Sequence, residues 1–118
     1  MKELLIKFKN LEIDKSQLKT KLGEDLYNVT CTKPQTINRH DLINTIQSYV
    51  NKKITLERLI EWVNVIWFTD LYEILENEID SIISVLEILE TLDEEGISIS
   101  LEEFSKMINA LFKNDIYS

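Results

Sequence analysis

Apolar residues recur at helical spacing along most of this chain, with polar positions on the complementary faces. Leu4, Leu5, Phe8 and Leu11 open the pattern. Leu4, Ile6 and Phe8 would also line one side of a short strand, but the wider spacing favours a helix. Asp14 with Gln17 three residues on makes an N-capping pair, Ile13 and Leu18 sit where a hydrophobic staple packs, and Gly23 stops the element. Residues 15–22 are therefore read as a short helix. From Glu24 to Pro34 there are β-branched residues around Cys31 and no helical period, which predicts an extended connection.

Beyond Pro34 the signals sharpen. Asn38 and Asp41 form a second capping pair, and Leu42, Ile43, Ile46, Tyr49 and Val50 make one stripe that should end near Lys52. Thr55 caps the next helix, which is apolar on nearly all sides: Glu57, Glu61 and Asn64 form only a narrow polar strip. Such a helix is either central or has one face on a partner. Trp67 falls with Leu59, Ile60 and Val63 on its stronger stripe, leaving Trp62 with Val65 and Phe68 on a second stripe that another helix or a bound protein would cover. Asp70 with Glu73 then offers a capping pair for a long acidic helix. In it Leu75, Ile79, Ile82, Leu86 and Leu89 step by four and three, opposite Glu73, Glu76, Asp80, Glu87 and Glu94. Gly96 can end that helix, and Ser100 with Glu103, flanked by Ile99 and Phe104, opens the last one, with Leu101, Phe104, Ile108, Leu111 and Phe112 as its apolar stripe. The expectation is all-α: residues 1–118 form a single domain, a compact bundle of about five helices with short connections. Its N-terminal third is the least regular part of the pattern.

Composition agrees with helices, because two glycines and one proline are few turn residues for a sheet protein. In 118 residues, 44% hydrophobic and 29% charged content suits one core. Cys31 is the only cysteine, so no intrachain disulfide is possible and the cytoplasm is the default compartment. Lys2, Glu3, Lys7 and Lys9 interrupt the N-terminal apolar positions, and no apolar run reaches spanning length, so neither export nor membrane insertion is expected.

Charge changes the picture most. Residues 1–58 carry 11 Lys and Arg against 7 Asp and Glu, a net +4; residues 59–118 carry 2 against 14, a net −12. No Lys or Arg lies between Arg58 and Lys106. A surface built from that stretch repels nucleic acid and steers a basic partner toward itself, although a solubilising coat would have the same composition.

Chemistry is scarce by comparison. Asp93–Phe104 looks like a calcium loop running into a helix, but with Gly96 at the sixth position the first falls on Thr91 and the eighth on Ser98. With Glu103 at the twelfth, Leu92 is first and Ile97 replaces the glycine; helix capping accounts for the whole segment. His40 is the sole histidine, in the first turn of a helix beside Asp41, where a solvated role is favoured over a catalytic one. Cys31 reads as an inert thiol, and two isolated glycines make no phosphate loop. No catalytic residue, metal ligand or cofactor is assigned.

The run Tyr49, Val50, Asn51, Lys52, Lys53, Ile54, Thr55, Leu56, Glu57, Arg58, Leu59, Ile60, Glu61, Trp62 resembles small all-helical bacterial immunity proteins of toxin systems, the colicin D immunity-like and contact-dependent inhibition families. The shared feature is a helix ending in an aromatic–aliphatic pair, a short polar turn, an Ile-Thr opening and an amphipathic helix bearing a tryptophan. The resemblance extends over about residues 42 to 112 and departs after Trp62, where Val63 to Phe68 is more apolar than usual. It implies a protein that binds and occludes a toxin domain, commonly a basic nuclease, with an acidic helix in place of the phosphate backbone. The residues expected to make that contact are Glu73, Glu76, Asp80, Glu87 and Glu90, with Trp62 or Tyr72 as an anchor. The alternative is a self-associating helical adaptor or regulatory subunit that uses the second apolar stripe and carries its charge for solubility.

Overall fold

Side-chain caps fix four helix starts. Asp14 accepts from the Gln17 N–H at 2.7 Å while the Gln17 side chain accepts from the Asp14 N–H at 2.9 Å. Asn38 and Asp41 make the same reciprocal pair, both bonds at 2.9 Å, Thr55 accepts from the Arg58 N–H at 3.2 Å, and Ser100 accepts from the Glu103 N–H at 3.1 Å. Each satisfies N–H groups that the first helical turn leaves without partners. The computed structural model describes residues 1–23, 25–29, 31 and 33–118. It contains α1 (Lys2–Lys9), α2 (Lys15–Leu22), β1 (Gln35–Ile37), α3 (Arg39–Val50), α4 (Leu56–Phe68), β2 (Tyr72–Ile74), α5 (Ile79–Leu89) and α6 (Leu101–Lys113). The fold is all-α, with six helices among the described residues against the five or so expected, and one small strand pair.

Two expectations change. The connection after Gly23 is not extended throughout, because Asp25 caps a 3₁₀ turn, Leu26–Asn28, that drives Leu26 fully into the core. Glu24, Thr30 and Thr32, part of the same expectation, lie outside the described residues.

The larger correction concerns the long helix expected to start at Asp70. Tyr72–Ile74 is instead a strand, paired in parallel with β1 so that Tyr72 lies opposite Gln35 and Ile74 opposite Ile37. The Gln35 N–H donates to Leu71 O at 3.0 Å and the Leu75 N–H to Ile37 O at 2.9 Å, closing the pairing at both ends. Leu71 and Tyr72 are both buried. A 3₁₀ turn, Glu76–Glu78, then leads into α5, and a second, Glu90–Asp93, follows it. The buried stripe of α5 is Ile82, Val85, Leu86 and Leu89, while Ile79 is exposed and Leu75 only half-buried. Gly96, at φ 83°, sits in the turn where the Ile97 N–H donates to Glu94 O, beyond the helical segment that it was expected to end, which stops at Asp93.

One continuous set of buried side chains runs from Leu5 and Phe8 through Leu42, Ile46, Trp62 and Ile82 to Leu111. The helix α6 packs chiefly on α3, and α1 lies against α2 and β1. Arg58 docks the N-terminal helices onto α4: its guanidinium donates to Ile13 O, pairs with Glu61 at 2.7 Å and stands 5.6 Å from the centre of the Phe8 ring. No described helix is long and apolar enough to cross a membrane.

Candidate functional site

The acidic residues reach solvent on the outer side of α5 and its approaches. Glu76, Asp80 and Glu87 are exposed; Asp80 and Glu87, seven apart, share one face of α5, and Glu76 lies in the 3₁₀ turn that leads into it. Glu90 follows, half-buried. Glu73 is exposed too, but on β2, where alternation turns it outward between Tyr72 and Ile74; it is not a member of the helical row. Among the described residues, none of these five carboxylates has a cationic side chain within 4.0 Å, the ion pairs being Lys9–Asp41, Arg39–Glu78, Arg58–Glu61 and Lys106–Glu102. Glu78, from the same acidic run, turns inward to Arg39 and is withdrawn from the surface. Burial pushes its carboxyl up, but the Arg39 backbone N–H and guanidinium outweigh that and hold it below the ordinary glutamate range.

Both expected anchors are inside the protein. Trp62 has no exposed surface, and its indole N–H donates to Lys9 O at 3.1 Å. Tyr72 is buried with its hydroxyl donating to Leu5 O; burial, reinforced by the charge of Asp41, pushes its pKa up. Neither can touch a partner without unfolding the N-terminal helices that cover it. Leu59 and Val63 of the stronger α4 stripe are core as expected, but so are Trp62 and Val65 of the second, while Trp67 is half-buried and stacked on Phe68, ring centres 5.6 Å apart and 9° from parallel. Phe68 is 50% exposed. The sequence held a signal for this, since Phe68 stands eleven residues after Glu57, about three turns, and so lies on the polar strip with Glu61 and Asn64. It is a large aromatic on an otherwise polar strip, two residues before Asp70, and it is exposed where Trp62 and Tyr72 are not.

No family model, curated protein or solved structure matches this chain.

The remaining candidate chemistry resolves into structure. Ser100 caps α6 and its hydroxyl lies 3.4 Å from the Glu103 carboxylate; the reciprocal bond from the Ser100 N–H that a full capping box requires is not made. Among the described residues no group of three His, Cys, Asp or Glu side chains is placed to hold a metal ion. Ser100→Ala should therefore cost about 1 kcal/mol of stability in a denaturant titration. Calcium should leave the melting temperature of either protein unchanged, and a calcium-dependent rise would overturn the capping assignment. His40 is exposed in the first turn of α3, and Cys31 is half-buried with its sulfur 3.8 Å from that of Met1. Neither has a partner that would make it a base or a nucleophile among the described residues.

Proposed function

We propose that the chain is an immunity-type binding protein that neutralises a cognate toxin, a basic nuclease domain, by covering it with the acidic face of α5. The observation that carries this reading is the row Glu76, Asp80, Glu87 and Glu90, exposed or half-exposed and without cationic neighbours among the described residues. Asp80 lies in the first turn of α5, where the helix dipole favours it, but Glu87 lies in the last turn, where the dipole opposes a negative charge and no basic residue offsets it. A lysine at that end would serve the helix better, so the acidity there is best accounted for by what it attracts. Glu73 beside it on β2 extends the negative field, and the Trp67–Phe68 pair supplies aromatic surface for a desolvated contact. The resemblance over residues 49–62 supports the toxin as the partner class; the charge supports only that the partner is basic. No cofactor enters this reading, and its natural setting is the cytoplasm that a toxin would otherwise attack.

The test is a double charge reversal, Glu76→Lys with Asp80→Lys, in the presence of a cognate toxin candidate, a basic nuclease domain. The fold should stay intact, with thermal melting unchanged or slightly lower, since Asp80 leaves the first turn of α5. Association measured by stopped flow should slow by about tenfold or more at low salt, the gap closing as salt screens the field beyond a Debye length of about 10 Å at 0.1 M. Cells co-expressing the toxin should lose protection. Full protection with an unchanged association rate would reduce the acidic face to a solubilising coat.

A further inference from the structure

Beyond α6 the chain turns back onto α5. Asn114 takes the left-handed conformation, φ 57°, and its side-chain amide accepts from the Ser81 hydroxyl at 2.7 Å and donates to Asn77 O at 3.2 Å. Three residues on, the Tyr117 N–H donates to the Ser84 hydroxyl at 2.9 Å, and Tyr117 is half-buried against the core. Ser84 sits among the acidic residues of α5. On a helix the surface neighbours of a residue lie three and four positions away, so Ser84 is bordered by Asp80, Glu87 and Ile88, all exposed, and by the buried Ser81. The hydrogen bond from Tyr117 therefore sets residues 115–118 beside two carboxylates of the acidic row. Ile116, next to Tyr117, is 64% exposed, and Ile88 is 36% exposed.

We infer that residues 115–118 and Ile88 form the apolar edge of the acidic face, and that this edge takes an aliphatic side chain of the basic partner segment whose cations meet Asp80 and Glu87. The inference rests on the binding reading above and adds the apolar half of its contact. An apolar surface alone would accept many occupants. Here two carboxylates, neither with a cationic side chain within 4.0 Å among the described residues, border the same helical position, and they select an occupant that is basic as well as apolar. Exposed charges speed the encounter and add little once contact is made, whereas apolar area removed from water holds the complex together. The other side of the segment differs in sign: Lys106 and Lys113, with Asp115 and Tyr117, line a hollow of about 230 Å³ against α6. Residues 115–118 thus divide a negative surface from one lined by lysines, which confines a basic segment to the α5 side.

Two short peptides, one alternating arginine with leucine and one alternating arginine with glycine, test this when titrated at low salt into the isotope-labelled protein and followed by amide NMR shifts. Both should move the amides of Asp80, Ser84 and Glu87. Only the leucine peptide should also move those of Ile88, Ile116 and Tyr117, and it should bind about tenfold more tightly. Ile116→Ser, at an exposed position where the melt should not change, should remove most of that advantage and leave the affinity for the glycine peptide as it was. Ser84→Ala should also reduce the advantage, with faster exchange of the Tyr117 amide, because the segment is no longer held against α5. A leucine peptide that binds no more tightly than the glycine peptide, or an advantage that survives both variants, overturns the inference and leaves the acidic face standing. If neither peptide moves Asp80 or Glu87, the binding reading itself falls, and the edge falls with it.

Discussion

Replacing Trp62 with alanine is expected to remove about 3–5 kcal/mol of stability, the usual cost of truncating a fully buried aromatic. Two losses combine. The cavity opens where α4 meets the N-terminal helices, and the Lys9 carbonyl, bonded to the indole N–H at 3.1 Å, is left without its donor. Domains of this size are stable by about 5–15 kcal/mol in all, so the variant should be poorly folded at physiological temperature. Trp62→Phe separates the two losses: it keeps most of the packing and should cost about 1–3 kcal/mol, largely through the unpaired carbonyl. Urea titrations followed by far-ultraviolet circular dichroism would measure both. A loss below about 1 kcal/mol for the alanine variant, with a fall in measured mass, would mean that Trp62 faces another chain and that the core is wrongly placed.

The second large effect belongs to Arg39. Its guanidinium donates to Leu111 O at 3.0 Å and Phe112 O at 2.9 Å at the end of α6, and stands 3.0 Å from Glu78, whose other oxygen accepts from the Arg39 N–H at 2.9 Å. One residue thereby joins the start of α3, the approach to α5 and the last turn of α6. Arg39→Ala leaves two helix-terminal carbonyls without their cationic donor and a mostly buried carboxylate without its counter-ion, for an expected loss of about 2–3 kcal/mol. The pair also sets an acid limit. The Glu78 carboxyl titrates lower in the folded protein than the ordinary value of 4.5. Its contribution is therefore complete above that value and is lost as pH falls through the lower folded one. Glu78→Gln should be less stable than the wild type at neutral pH, with the difference shrinking as pH falls below about 4. Melts across the acid range would show it, and a difference that stays constant with pH would remove Glu78 from the acid response.

What the sequence disclosed and what it hid differ in range. Caps are local agreements between residues three apart, so Asp14 with Gln17, Asn38 with Asp41, Thr55 and Ser100 are legible in the order of residues alone. Asp70 with Glu73 has the same form and misleads, because the fate of Tyr72–Ile74 is decided by Gln35–Ile37, far back in the chain, which offers that segment a strand to pair with. The tryptophans of α4 fail for a related reason. A helix apolar on nearly every side has no period strong enough to rank its stripes, and what covers Trp62 is α1 with its Lys9 carbonyl, an element the local pattern could not place. The acidic row was legible because charge needs no partner to be seen. That Glu73 leaves the row and Glu78 turns inward depends on the strand pair and on Arg39, and neither is written in spacing.

The strand pair has a consequence for how quickly the chain can reach its native state. Helices such as α3 and α4 form from neighbouring residues, on timescales near a microsecond. The contacts that seat α1 are of another kind: Tyr72 bonds Leu5 across 67 residues and Trp62 bonds Lys9 across 53. Closing loops of that length costs chain entropy before any contact repays it, and parallel pairing adds a further crossover to be completed. Refolding should accordingly be slower than for a bundle whose helices meet only their successors, with the N-terminal helices the last to acquire hydrogen-exchange protection.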